Sequence, residues 1–230
     1  MKIRLFFFIC FIFLTIRVTA QDAAGLIRTV REKLEKINDY QADAEMKTNI
    51  PFLRVPDAEV KVFYKKPDKI RIWNEHGISL VPKESESISL YSLVAGKYQV
   101  IDAGYEELNG IPVRVVKLLP ENENANLVLA TLFIDSSRIL ILKAKITTRD
   151  NGTDEVELSY GKYAKASLPD KIVFSFNTQD YKLPKGVTFD YDDGTQKKNQ
   201  GQDQKNQRGK IEISFHFYLV NAGLKDEVFR

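Results

Sequence analysis

The sequence predicts an α+β fold: a strongly curved antiparallel β-sheet, an open half-barrel of about 10–12 strands, with an N-terminal helix on its concave face. Three observations predict it. One stretch near the N-terminus carries helical periodicity, almost everything after it alternates at a period of two, and a single helix is too small to cover the apolar face that so many strands create.

The chain of 230 residues opens on MKIRLFFFICFIFLTIRVTAQ, which has the layout of a secretory signal. Lys2 and Arg4 form a basic start, Leu5 to Ile16 is an apolar run short for a membrane span, and Val18-Thr19-Ala20 is a small-residue cleavage site. Cleavage after Ala20 is expected, leaving 21–230 as a single domain exported to the periplasm. Cys10, the one cysteine, lies inside the apolar run behind Phe8 and Ile9 and not after a small residue at the cut, so no lipid attachment there is expected. Removing the signal takes Lys2, Arg4 and Arg17 from the 34 basic residues and leaves 31 against 31 acidic ones. A balanced chain gives no reason to expect nucleic acid or an anionic membrane surface as partner. Without cysteine, the exported part has neither disulfides nor thiolate metal sites. A domain of this size buries a core unaided, and a monomer is expected.

The helix is AAGLIRTVREKLEKIND, where Leu26, Ile27, Val30, Leu34 and Ile37 share a stripe while Arg28, Arg31, Glu32, Lys33 and Glu35 fall off it. Next, YQADAEMKTNI sets Tyr40, Ala42, Ala44, Met46, Thr48 and Ile50 against Gln41, Asp43, Glu45, Lys47 and Asn49, a strand pattern. VKVFYKKPDKIRIW reads as a hairpin: Val60, Val62 and Tyr64, then Ile70 and Ile72, with a lysine-rich turn and Pro67 between. Further strands are expected at Ile88 to Val94, Tyr98 to Ile101, Ile111 to Leu119, Leu127 to Ile134, Ile139 to Thr147, Glu155 to Tyr163, Ile172 to Phe176, Val187 to Tyr191 and Ile211 to Leu219. Asn109-Gly110, Asp150-Asn151-Gly152, Pro169-Asp170 and Pro184-Lys185-Gly186 are turn chemistry between them. Asp192 to Gly209 has no aliphatic or aromatic residue and is expected to be a flexible loop.

A sheet of ten or eleven strands at roughly 4.8 Å spacing is about 50 Å wide. A helix of about 15 residues is only about 22 Å long and 10 Å thick. The sheet must curl around the helix, and it either fills its own hollow or leaves an apolar cavity. Inward side chains such as Val113, Leu158, Phe174, Phe176, Phe215 and Phe217 fill much of that space; the surplus of apolar surface favours a pocket for an acyl chain or similar hydrophobe.

Catalysis finds little support. His76 sits in a turn and His216 alternates with phenylalanines on a strand, so both read as structural or surface residues. The sequence has no Gly-x-Ser-x-Gly, no His-Glu-x-x-His, no phosphate-cradling glycine loop and no dinucleotide fingerprint. Asp190, Asp192 and Asp193 before Gly194 lack the spacing and the closing Glu of a calcium loop. Neither an enzyme nor a cofactor or metal is expected.

The order of features resembles the periplasmic outer-membrane lipoprotein carrier and lipoprotein-sorting family, the LolA/LolB-like half-barrels. The residues that carry the likeness are the export signal, LIRTVREKLEKINDYQADAEMK running into the first strand, VFYKKPDKIRI, SLYS, and GTDEVELSYGKYAKASLPDKIVFSF. The resemblance implies carriage of lipoproteins by enclosing their acyl chains, with inner- and outer-membrane envelope proteins as partners. Where the family often has Arg-Pro at the hairpin, this chain has Lys66-Pro67, which replaces a forked contact by a single ammonium and weakens any latch. The segment 93–110 reads as strand, so no lid helix is expected there. The expected ligand-binding residues are Leu26, Val30, Leu34, Val60, Val62, Tyr64, Ile70, Ile72 and Leu90, with Lys66 and Pro67 at the cavity mouth. The alternative is a cell-envelope interaction or stress-sensing module whose half-barrel is filled by its own side chains.

Overall fold

Asp22 caps helix α1, Ala23–Glu35, its carboxylate accepting from the Ala24 amide at 3.3 Å. Leu26, Ile27, Val30 and Leu34 are buried along one side of this helix, as the stripe requires. On its other side Lys33 reaches out to donate to the Arg138 carbonyl at 2.8 Å. The structure, a computed structural model, describes residues 22–50, 56–74, 89–150, 152–178 and 208–229. The export signal, His76, Ile88, the expected strand Val187 to Tyr191 and most of the expected 192–209 loop lie outside those residues.

Among the described residues, ten strands form one antiparallel sheet. They are β1 (Asp39–Asn49), β2 (Ala58–Lys65), β3 (Lys69–Trp73), β4 (Tyr98–Leu108), β5 (Ile111–Pro120), β6 (Leu127–Asp135), β7 (Leu140–Thr148), β8 (Gly152–Ser159), β9 (Lys171–Asn177) and β10 (Arg208–Val220). Their order is β3-β2-β1-β10-β9-β8-β7-β6-β5-β4. Two meanders therefore meet where β1 pairs with β10, and the sheet stays open between β3 and β4. Arg208 and Gly209, expected in the loop, instead begin β10 and pair with Asn177 and Phe176. The Asn109-Gly110 turn joins β4 to β5 with both residues at positive φ, 52° and 78°, which is what an Asn-Gly hairpin turn needs.

Three expectations are corrected. The stretch expected as a strand at Ile88 to Val94 contains a second helix, α2 (Leu90–Ala95). Ser89 caps it, its Oγ accepting from the Ser92 amide at 3.0 Å. The Leu93 amide donates to the Ser89 carbonyl, four residues back, at 3.1 Å, a bond that belongs to a helix and not to a strand. The setting is topological: β3 and β4 lie at opposite edges of the sheet, and the helix that precedes β4 packs against α1. The hollow is thus covered by two helices, with α2 packed on α1.

The second correction concerns β10, where strict alternation put Phe215 and Phe217 on the same inner face. Asp43 pairs with Phe217 and Ala44 with Phe215, so His216 is the extra residue of a β-bulge. After the bulge the faces swap. Phe215 is buried, Phe217 is 50% exposed, and Tyr218 takes the inner position.

The concave side of the sheet holds two core clusters. One cluster joins α1 and α2 to the inner faces of β5–β8, with Leu26, Val30, Leu118, Leu132 and Ile146 at its centre. The other joins β1–β3 to β9 and β10 through Ala44, Met46, Val60, Val62, Ile211 and Phe215. A third cluster, Val113, Val115, Phe133, Leu140 and Leu142, lies on the other face of β5–β7; Val113, expected to point inward, belongs to it because Val116 and Leu118 take the inner positions of β5. The C-terminal segment straps over the β2–β3 hairpin: Lys65 and Lys69 pair with Asp226 at 2.7 and 3.0 Å, and Arg71 donates to the Val228 carbonyl at 2.7 Å.

Candidate functional site

Between the two core clusters lies a partly enclosed cavity of about 160 Å³. The split in the core explains its place. Helix α1 lies over the β5–β8 half of the sheet, so only its last turn, Leu34, and the following Ile37 reach the seam with the β1–β3 half. From α2 come Leu90, Tyr91 and Leu93, from the hairpin Val62, Tyr64, Ile70 and Ile72, and from β9 and β10 Ile172, Phe174, Ile211, Ile213 and Phe215. Ile146, Val156 and Leu158 close the side nearer α1, and Ser167-Leu168-Pro169 another wall.

Of the residues singled out from the sequence, Leu34, Val62, Tyr64, Ile70, Ile72 and Leu90 line this cavity. Leu26 and Val30 lie about two turns and one turn before Leu34 and are buried in the first cluster. Val60 pairs with Ala44, one inward position beyond Val62, and is buried in the second. Lys66 and Pro67 sit at the hairpin turn beside the cavity. Lys66 Nζ donates to the Glu35 carbonyl at 3.0 Å, satisfying a free carbonyl at the end of α1, and stands 5.4 Å from the centre of the Tyr91 ring. Ser89 Oγ donates to the Pro67 carbonyl at 2.9 Å. The turn thus ties the end of α1 to the start of α2.

Sequence reasoning missed Ile37, Tyr40, Tyr91, Ile146 and the Ser167–Pro169 wall. Inward parity already placed Phe174, Phe215 and Leu158 on the concave side, but parity carries no information on which inward residues border a gap. Only the meeting of distant strands does that.

None of the described lining residues carries a charged side chain. An aromatic group flanks one end: Tyr40 stacks on Tyr64 at 5.1 Å and Phe215 on Tyr218 at 5.0 Å, while Tyr40 meets Tyr218 edge to face at 5.3 Å. Burial pushes the Tyr64 phenol up to about 12, with Ser89 beside it offsetting part of the effect. Burial also raises Tyr40 and Tyr218 well above the usual phenol range. All three are neutral across physiological pH. Tyr218 Oη donates to the Pro169 carbonyl at 2.8 Å, whereas the buried hydroxyls of Tyr64 and Ser167 have no hydrogen-bond partner. Ser89 Oγ donates to the Pro67 carbonyl at 2.9 Å and accepts from the Ser92 amide at 3.0 Å, and the Tyr64 hydroxyl lies near it without hydrogen-bond geometry. The described wall is thus apolar apart from a few neutral hydroxyls. Among the described residues, no group of three or more His, Cys, Asp or Glu is placed to hold a metal.

No family model matches the sequence, and no curated protein matches it. Solved structures do. An outer membrane lipoprotein-sorting protein domain from Vibrio parahaemolyticus is 12% identical with a TM-score of 0.58, over 92% of this chain and 97% of that one. A DUF1329 family protein from Desulfovibrio piger is 12% identical with a TM-score of 0.57, over 90% and 95%. A LolA superfamily protein from Nitrosomonas europaea is 10% identical with a TM-score of 0.53, over 89% and 97%. At these identities the likeness is one of fold, and it runs over about nine-tenths of this chain.

Proposed function

We propose that the protein is a periplasmic, non-catalytic carrier that takes acyl chains of a lipoprotein, or another hydrophobic ligand, into the cavity between its two core clusters. The observation that carries this reading is the cavity itself, apolar and uncharged along its described wall, in a sheet that two helices leave incompletely filled. Burying a hydrocarbon chain contributes about 0.8 kcal/mol per methylene. Six buried methylenes amount to about 5 kcal/mol, which is reversible holding in the sub-millimolar range. A carrier needs this, since cargo must leave when a receiving protein or membrane offers a better apolar surface. Export by the N-terminal signal puts the protein in the compartment where such cargo travels, and the fold likeness to lipoprotein-sorting proteins supports the same reading. The Lys66 contacts to Glu35 and Tyr91 are the latch through which the hairpin and α2 hold the cavity closed.

Mass spectrometry of organic extracts from the purified protein tests the proposal. Co-purifying lipid at near-stoichiometric amounts, lost in Leu34→Asp with an unchanged circular dichroism spectrum, is the expected result. A clean extract from a protein that also excludes apolar dyes overturns it in favour of an envelope interaction module with a self-filled half-barrel.

A further inference from the structure

We propose that the cavity seats the end of one aliphatic chain, about six carbons deep, and excludes a second chain; this rests on the carrier reading and narrows its cargo. The argument is one of volume and stiffness. The cavity measures about 160 Å³. An apolar cavity of roughly 150 Å³ accommodates one benzene, six carbons, and stays dry when empty. Two chains side by side do not fit in that space.

Widening it means displacing its walls, and those walls are braced. The Tyr64 ring is stacked on Tyr40, and Phe215 is stacked on Tyr218, whose hydroxyl is tied to the Pro169 carbonyl. Opposite them, Leu34 and Leu93 belong to helices packed on each other. Close-packed interiors resist expansion because every displaced side chain loses contacts elsewhere. Carbons beyond about the sixth therefore stay outside the enclosed wall and add little affinity. The site recognises a chain end, so a multi-chain anchor inserts one of its tails and leaves the others to a different surface.

The test is the affinity of straight-chain alcohols from butanol to dodecanol for the purified protein, by titration calorimetry. Each methylene buried is worth roughly a fourfold gain, so butanol to hexanol is expected to tighten roughly fifteenfold, and hexanol to dodecanol by less than about fourfold in total. A double-chained phospholipid is expected to bind no more tightly than its single-chained counterpart. In Phe174→Leu, which removes part of the wall, the break moves to longer chains while the circular dichroism spectrum is unchanged. An unbroken climb to dodecanol, several-thousandfold beyond hexanol, overturns the chain limit while upholding the carrier; so does a double-chained lipid that binds much more tightly than a single-chained one. A break at six carbons that Phe174→Leu leaves in place assigns the limit to another site and overturns the proposal. No binding at any length overturns the carrier reading and the chain limit with it.

Discussion

Two tyrosines in one aromatic group respond oppositely to loss of the same atom. Tyr64 is buried, its ring stacked 5.1 Å from Tyr40, and its hydroxyl meets no hydrogen-bond partner. Leaving a hydroxyl buried and unpaired costs about 1–3 kcal/mol. Tyr64→Phe keeps the ring and removes the cost, so it is expected to stabilise the protein by about 1 kcal/mol, or roughly 2–4 °C in Tm for a chain of this length. Tyr218→Phe deletes the same atom where it donates to the Pro169 carbonyl at 2.8 Å. That variant loses a buried hydrogen bond and strands its acceptor, so a loss of about 1–2 kcal/mol is expected. Urea unfolding followed by fluorescence of the single tryptophan, Trp73, measures both, with the slope unchanged from the parent. If Tyr64→Phe is destabilised by about 1 kcal/mol or more, its hydroxyl has a partner, with Ser89 the neighbour to suspect, and the reasoning fails.

Asp135 accepts from the Ser137 amide and hydroxyl and from the Arg138 amide and Nε, at 2.6–3.1 Å; burial pushes its carboxyl up, but these bonds outweigh it and hold it at about 2. Because the folded value lies below the unfolded one, its contribution of about 2 kcal/mol is complete above about pH 4 and lost as pH falls from 4 to 2; the stability gap between the parent and Asp135→Asn should close over that window in urea titrations. Gly209→Ala places a Cβ 2.6 Å from Phe176 Cζ, a buried ring stacked on Phe174, and is expected to cost about 1–3 kcal/mol by thermal unfolding. Lys66→Met removes the bond to the Glu35 carbonyl and the charge over Tyr91, costing under about 1 kcal/mol globally. Its expected signature is local: faster amide exchange in the last turn of α1 and in α2, with the rest of the sheet unchanged.

Much of the architecture was legible residue by residue. The Leu26-Val30-Leu34 stripe is the buried side of α1, and alternation from Tyr40 onward marks strands whose partners the Asn109-Gly110 turn and its like assign to nearest neighbours. Short-range physics suffices for such features, because a side chain's face follows from the period of its own backbone. The misreadings fall where that period is too brief or is broken. From Ile88 to Val94 the apolar residues suit a strand about as well as one turn of helix, and the bond from the Leu93 amide to the Ser89 carbonyl shows helix. At His216 one inserted residue turned Phe217 from core to surface, and only pairing with Asp43 and Ala44 reveals it.

The sequence by itself determined that a broad sheet would have too little helix to cover it and would curl into an open half-barrel. Tertiary structure decided where the shortage remained. Leu26, Val30 and Val60 look no different in pattern from Leu34 and Val62, yet the first three are packed inside the two clusters and the last two border the gap between them. Periodicity tells which way a side chain points, whereas a void is the space left after side chains from strands far apart in the chain have been packed together. That remainder depends on every volume around it, and no local pattern carries it.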